Sequence, residues 1–394
     1  MKRIAPALEA VLARLDAAEL RRARTTVESY PAAQRRTLTV AGGRELLDFS
    51  SNDYLGLAHH PALTAAMSAC AARCGAGSGA SHLITGHGAE HARLEEELAA
   101  FTGRERALLF STGYMANLAV MTALAGDGER VLLDRLCHAS LIDGARLSGA
   151  RLRRYGHADA DSAARLLAAD PAHTALVATD GVFSMDGDLA PLPALARAAR
   201  AADAWLVVDD AHGLGVVGPS GGGVLEHFAL DGEAVPVLIG TLGKAFGSFG
   251  AFVAGAADLI ELLLQKARTY IYTTALPQPV AAATRAALVL ARTERWRRER
   301  LHALTARFRA AALAAGVPLG ASVTPIQPVP LGRPARALAA QRELAAAGFW
   351  VVAIRPPSVP PGSARLRVTL SATHTEDEVD ALVEHLAQAC RRNL

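Results

Sequence analysis

Lysine is nearly missing from this chain: of its 41 Lys and Arg residues only Lys2, Lys244 and Lys266 are lysines. Arginine replaces lysine as a surface charge but not as a nucleophile, because a guanidinium keeps its proton while a desolvated amine releases it and forms a Schiff base. Cysteine is scarce too. Cys70, Cys74, Cys137 and Cys390 are the four, and the 70/74 spacing is that of helix neighbours with no second pair to complete a zinc site. They read as reduced and structural, in a cytoplasmic protein. The 13 histidines are dispersed without an HExxH pattern, so no metal is expected. No apolar run approaches the ~20 residues of a membrane span. Met1 to Leu20 carries charge throughout, unlike a signal peptide.

What is present describes an ordinary globular chain. Its 394 residues are 51% hydrophobic and 20% charged, with a net charge of +3, which carries no disorder signature. Arginines cluster at 151–154 and 295–300, and both clusters read as solvated faces. Neither a nucleic acid nor a membrane is therefore expected as a partner.

Apolar spacing predicts an N-terminal amphipathic helix over 5–23 and a strand pair at 36–40 and 45–49. Short apolar runs at 107–110, 130–133, 175–179, 205–208, 235–239 and 251–254 then alternate with Ala- and Arg-rich helical stretches. That alternation predicts an α/β fold: a large domain with a mainly parallel sheet covered by helices, and a smaller α+β C-terminal domain. Boundaries are set at 1–50, 51–290 and 291–394. No internal repeat is visible, and the proline-rich stretch 325–334 lies within the last segment.

Two glycine patterns mislead. Gly213, Gly215 and Gly218 match a dinucleotide fingerprint, the basis of a rival oxidoreductase reading. Yet Asp209 to His212 separate them from the strand, and Pro219 with further glycines follows where a helix should open. Gly243-Lys244 lacks the first P-loop glycine, and Ala245 stands where a magnesium-binding hydroxyl belongs. A different constellation fits. Asp209 closes a strand, with His212 three residues on and Lys244 beyond the next strand. Ser111 to Asn117 bridges a strand and a helix, offering amides to a phosphate. Singly, Asp209 is a loop cap, His138 a helix-start residue and Ser184 a turn residue. Their order, each beside a strand end, favours a pyridoxal phosphate site built on a Schiff-base lysine with an Asp partner to the ring nitrogen.

Several strings then carry a resemblance: Ser-Asn-Asp-Tyr-Leu-Gly-Leu (51–57), Gly-Ser-Gly-Ala-Ser (77–81), Asp-Gly-Val-Phe-Ser-Met-Asp-Gly (180–187), Val-Asp-Asp-Ala-His-Gly (208–213) and Gly-Thr-Leu-Gly-Lys-Ala-Phe-Gly (240–247). Over essentially its whole length the chain resembles the α-oxoamine synthases. These are fold-type-I pyridoxal phosphate enzymes that join an amino acid to an acyl thioester with loss of CO2. The strings at 353–360 and 364–372 are most similar to the biotin-pathway branch that takes L-alanine and a pimeloyl thioester, on CoA or on a carrier protein. Sister branches use glycine or serine with other acyl-CoA donors.

The resemblance implies Lys244 as the Schiff-base lysine, Asp209 on the pyridinium nitrogen and His212 on the phenolic oxygen. It also implies His138 on the ring face, Ser184 against the cofactor, and Gly113, Tyr114 and Thr241 near its phosphate. Arg355 is implied for the substrate carboxylate with Asn52 and Ser358 nearby, and Arg21 for the acyl substrate. A homodimer with shared active sites is expected. The chain departs from the family pattern at Ser358, where Thr is expected, and at His82, where Arg or Gly is expected.

Overall fold

A computed structural model describes residues 4–30 and 36–393. They form two compact units. One comprises Asn52–Ser184 and Asp188–Glu299; the other comprises the described residues up to Ser51, Met185–Gly187, and those from Arg300 onward. The N-terminal segment is thus grouped with the C-terminal one. It holds α1 (Ile4–Ala17), β1 (Val27–Ser29), β2 (Thr37–Val40) and β3 (Arg44–Asp48). Helix α1 stops short of residue 23, and Glu19 just beyond it takes a positive φ of 56°.

The larger unit begins with α2 (Pro61–Cys74), a π-helical turn (His82–Gly86), α3 (Ala89–Thr102), β4 (Arg106–Phe110) and α4 (Gly113–Leu124). It continues through β5 (Arg130–Asp134), α5 (Ala139–Leu147), β6 (Arg151–Tyr155), α6 (Ala160–Ala169), β7 (Thr174–Asp180) and α7 (Leu192–Ala201). Then come β8 (Trp205–Asp209), α8 (Gly223–His227), β9 (Val237–Thr241), β10 (Ala251–Gly255), α9 (Ala257–Lys266), α10 (Arg268–Ile271) and α11 (Gln278–Thr293). Its seven strands lie in the order β4-β10-β9-β8-β7-β5-β6. Strand β10 is antiparallel to both neighbours; the pairs from β9 to β6 are all parallel.

Strands β5 and β10 are buried along their whole length, as expected where helices cover both faces of a sheet. On one face Leu133, Ala178, Val207 and Ile239 pack with Val120 and Met121 of α4, Leu141 of α5 and Leu263 of α9. The parallel strands β5, β7, β8 and β9 end at Asp134, Asp180, Asp209 and Thr241. In an open α/β sheet these carboxyl ends are where ligands bind. Among the described residues no helix is long and apolar enough to cross a membrane.

After α12 (Trp296–Ala314) the chain forms β11 (Ile326–Gly332), α13 (Pro334–Ala346), β12 (Phe349–Trp350), β13 (Val352–Ile354), β14 (Ala364–Thr369) and α14 (Glu376–Asn393). The apolar piece 349–354, expected as one strand, is split. Phe349 and Trp350 pair with Leu47 and Asp48, whereas Val352–Ile354 pair with β14 in a separate three-stranded sheet. Part of the proline-rich stretch is a strand, because β11 lies at a sheet edge, where Pro328 and Pro330 disturb only one ladder.

The 295–300 arginines are a solvated face only in part: Arg295 and Arg300 are exposed. Arg297 and Arg298 are buried; Arg297 donates to the Leu55 carbonyl at 2.9 Å and to Glu294 at 2.5 Å, and Arg298 donates to the Ala291 carbonyl. At Arg297 a planar fork with a carbonyl and a carboxylate in place tolerates burial that an unpaired charge does not, whereas the buried Arg298 Nε has no hydrogen-bond partner.

One polar clamp braces the strand ends. His157, just past β6, lies 3.1 Å from Asp134 Oδ1 and 2.9 Å from Asp188 Oδ2, with the Phe183 ring against its edge. Burial alone would lower its pKa, but the hydrogen bonds and charges of Asp134 and Asp188 prevail and raise it to about 10. The folded-state pKa lies above the ordinary value of 6.5, so the clamp's contribution is full below about pH 6.5 and is lost as pH rises through about 10. Denaturant titrations across pH should show the stability gap between the parent chain and H157Q shrinking over that window; a gap independent of pH would contradict the clamp. A second prediction concerns the α4–α5 contact. A Cβ on Gly144 would lie 2.8 Å from Met121 Cβ and 3.3 Å from the Asn117 carbonyl. Gly144→Ala gains helix propensity of about 1 kcal/mol but overpacks a backbone contact at about 1–3 kcal/mol. The denaturation midpoint should fall.

Candidate active site

The carboxyl end of β8 delivers Asp209 into a buried hydrogen-bond network. Its Oδ2 accepts from Asn117 Nδ2 at 2.7 Å and its Oδ1 from the Ala211 amide at 3.1 Å. Asn117, on α4, gives its other amide hydrogen to Ser140 Oγ at 2.7 Å, and Ser140 Oγ lies 2.7 Å from His138 Nδ1. A line of contacts therefore runs Asp209–Asn117–Ser140–His138. His138 caps α5 by accepting from the Ser140 amide, and its own amide donates to Asp180 Oδ1 at 3.1 Å. Desolvation by the packed surroundings is the largest effect on the His138 imidazole. It lowers the pKa, against the pull of Asp209 and with the help of Lys244.

The second line starts at Lys244, in the tight turn after β9. Its Nζ is 3.1 Å from His212 Nε2. His212 Nδ1 is 2.7 Å from the Tyr54 hydroxyl, which in turn donates to Asn52 Oδ1 at 3.2 Å. That donor order puts the ring proton on Nδ1, so the Nε2 lone pair faces the lysine; the tautomer is assigned from the network. Four of the expected residues, Lys244, His212, Asp209 and His138, are thus joined to their surroundings by direct hydrogen bonds.

The cradle lies at the start of α4. Thr112 caps the helix by accepting from the Met115 amide at 3.2 Å, and the first helical amides, those of Gly113 and Tyr114, have no intrahelical acceptor. A Cβ on Gly113 would stand 2.8 Å from Thr241 Cγ2, so glycine keeps the space between α4 and the end of β9 open. The Tyr114 hydroxyl donates to Asp143. Ser184 sits in the loop after β7, which is closed by the Val182–Leu189 bridge and by the Phe183 amide on the Asp188 carbonyl at 3.0 Å.

The remaining expected residues belong to the other unit. Arg355 donates to the Glu19 carbonyl. Arg21 pairs with Asp16 at 2.8 Å, whereas it is Arg22 that reaches Ser358 Oγ, at 3.1 Å.

Sequence reasoning missed Asn117, Ser140, Tyr54 and Asp180 as members of these networks. A signal for Asp180 was present, because an aspartate closes each of β5, β7 and β8. Burial and the neighbouring Asp209 push Asp180 well above the usual carboxylate range. Burial does the same for Asp210. The fingerprint glycines are explained by neighbouring side chains: a Cβ at Gly213 would overlap the Asp210 carboxylate, one at Gly218 the Glu226 carboxylate, and one at Gly215 would stand 2.8 Å from Ala245 Cβ. They make room for the chain's own side chains, not for a dinucleotide.

Known proteins resemble this chain throughout. The profile of the aminotransferase class I and II family matches residues 44–386. The 8-amino-7-oxononanoate synthase of Methylococcus capsulatus is 59% identical over 378 residues, which cover 96% of this chain and 97% of that protein. The enzyme of the same name from Pseudomonas putida KT2440 is 58% identical over 381 residues, covering 97% and 96%. Among solved structures, a serine palmitoyltransferase variant from S. paucimobilis with a bound PLP–myriocin aldimine superposes with a TM-score of 0.92 at 30% identity, covering 98% of this chain and 97% of that one. An 8-amino-7-oxononanoate synthase from Francisella tularensis gives 0.78 at 30% identity, covering 88% and 98%. With such matches along nearly its entire length, the chain belongs to the class I and II aminotransferase family and, within it, to the 8-amino-7-oxononanoate synthases.

Proposed function

We propose that this chain condenses L-alanine with a pimeloyl thioester to give 8-amino-7-oxononanoate, CO2 and the free thiol, a step of biotin biosynthesis. The observation that carries the reading is the identity of nearly 60% with 8-amino-7-oxononanoate synthases along the whole chain, joined to a lysine hydrogen-bonded to His212. The donor set fits pyridoxal phosphate. An amine, a buried carboxylate held by an amide, and helix-start amides left accessible by Gly113 match its aldehyde, ring nitrogen and phosphate. Lys244, Asp209, His212, His138, Ser184, Gly113, Tyr114 and Thr241 would hold the cofactor, which supplies an electron sink for the carbanion at the amino acid's Cα.

The chain's own groups do the rest. Lys244 Nζ takes the Cα proton of alanine and later returns a proton, while the His212 Nε2 lone pair holds its N–H toward the ring. Asn117 and the Ala211 amide fix the Asp209 carboxylate, whose charge favours a protonated ring nitrogen. His138, tethered through Ser140 and Asp180, serves as a plate over the ring. Arg355 receives the alanine carboxylate, with Ser358 and Asn52 assigned beside it and Arg21 assigned to the acyl chain. The active assembly is a cytoplasmic homodimer with shared active sites, and its acyl donor is pimeloyl-CoA or a pimeloyl carrier protein.

A thiol-release assay crossing amino acids with acyl thioesters tests the assignment. Alanine with a pimeloyl thioester should give the highest kcat/KM, and running CoA and carrier donors side by side names the physiological thiol. Glycine with acetyl-CoA, or serine with a long-chain acyl-CoA, prevailing instead would move the chain to a sister activity. The alanine methyl accounts for only about 1–3 kcal/mol of discrimination, so the comparison must be quantitative. In the same assay Lys244→Arg, which keeps the charge but neither forms the imine nor accepts a proton, should lower kcat by about 100-fold or more.

A further inference from the structure

Away from the Lys244 site, the fold assembles three imidazoles that the sequence scatters over two elements. His82 opens the π-helical turn, His87 follows that turn, and His91 lies in the first turn of α3. Their candidate ligand atoms all lie within 4.8 Å of one another. The ring centroids form a nearly equilateral triangle: 5.1 Å for His82–His91, 5.3 Å for His82–His87 and 5.5 Å for His87–His91. Three imidazoles on a tetrahedral zinc ion, with Zn–N bonds of about 2.0–2.1 Å, would place their centroids about 5.2 Å apart. His82 Nδ1 and His87 Nδ1 share a hydrogen bond at 3.0 Å, whose proton the metal would displace as the pair opens to the tetrahedral edge of about 3.4 Å.

We propose that His82, His87 and His91 form a binding site for a divalent transition-metal ion of the zinc class. Imidazole ligands select zinc, cobalt, nickel or copper over magnesium and calcium, which prefer oxygen. Each ring is restrained by a neighbour, and His91 has the hydrogen bond on its far nitrogen that metal-ligating histidines make. His91 Nε2 is hydrogen-bonded to the Leu276 carbonyl, His87 Nε2 lies 3.9 Å from Glu95 Oε2, and His82 stacks on the Tyr270 ring at 4.8 Å. On the inner side His91 Nδ1 accepts the Gly88 amide at 2.9 Å; the metal replaces that donor, and the half-exposed Gly88 turns its amide to water. His82 and His91 are buried while His87 is exposed, so the ion enters on the His87 side and keeps water as its fourth ligand. None of this rests on the assigned reaction.

The test uses the full-length chain loaded with its cofactor, titrated with zinc by calorimetry and with cobalt by visible absorption. One equivalent should bind, the cobalt spectrum should be of the four-coordinate type, and zinc should raise Tm. His87→Gln, at an exposed position that spares the fold, should weaken zinc binding by about tenfold or more and abolish the rise in Tm. His173→Gln, at an exposed histidine outside the cluster, should change neither. Absence of a bound equivalent, or equal affinity in H87Q, overturns the site.

Discussion

The hydrogen bond from Asn117 to Asp209 is the contact on which the site's geometry depends. A carboxylate taken out of water requires donors in place of its hydration, and an unsatisfied one costs several kcal/mol or shifts its proton equilibrium. Asp209 has two such donors, the Ala211 amide from its own turn and the Asn117 side chain from α4. The second ties the end of β8 to a helix, and the other hydrogen of the same amide ties that helix to Ser140 of α5. Two helices and a strand are therefore registered through one side-chain amide. The close approach this needs is provided by Gly144, where α5 runs against Met121 and the Asn117 carbonyl.

Parallel strands that end together bring their terminal carboxylates together, and the fold resolves that crowding in three ways. Asp134 receives His157, whose raised pKa keeps it cationic through neutral pH, together with the Leu136 and Ala158 amides. Asp180 and Asp210 are held above the carboxylate range by burial. Asp209 is given the Ala211 amide and the side-chain amide of Asn117. Asp209 thus differs from the others in taking the side-chain amide of a helix residue. The others position its neighbours: Asp180 holds the His138 backbone, and Asp210 accepts the Val224 amide at 2.8 Å beneath the glycine-rich turn.

How much of this was legible in the sequence follows from what each signal measures. Apolar runs report burial, so the strands of the covered sheet were readable and the helices between them followed. Strand-to-sheet assignment is a long-range property, and nothing in residues 349–354 says that β12 pairs with β3 while β13 pairs with β14. Motif strings singled out Lys244, Asp209, His212 and His138 because each belongs to a short local pattern. Asn117 stands in such a string, yet its function is a contact 92 residues away, which no local window contains. The buried Arg297 failed for a related reason: charge patterning sees a basic run, while its burial depends on the Leu55 carbonyl.

The scarcity of lysine gains its meaning from these same geometries. Arg297 shows that this chain buries a guanidinium group where a fixed carbonyl and a carboxylate meet its donors. Composition therefore does not bar arginine from the interior, and position 244 is not a lysine for want of tolerance. What distinguishes it is the partner. His212 presents a lone pair, fixed by the Tyr54–Asn52 relay behind it, to a single nitrogen 3.1 Å away. A neutral acceptor of that kind pairs with an ammonium and, more weakly, with a free amine, so the contact survives loss of the proton. A carboxylate partner would hold the proton in place and raise the pKa. The relay from Asn52 to His212 thus presents an acceptor that a lysine nitrogen can meet with or without its proton, as the proposed roles of base and nucleophile require. An arginine at 244 would keep the donor and lose both roles.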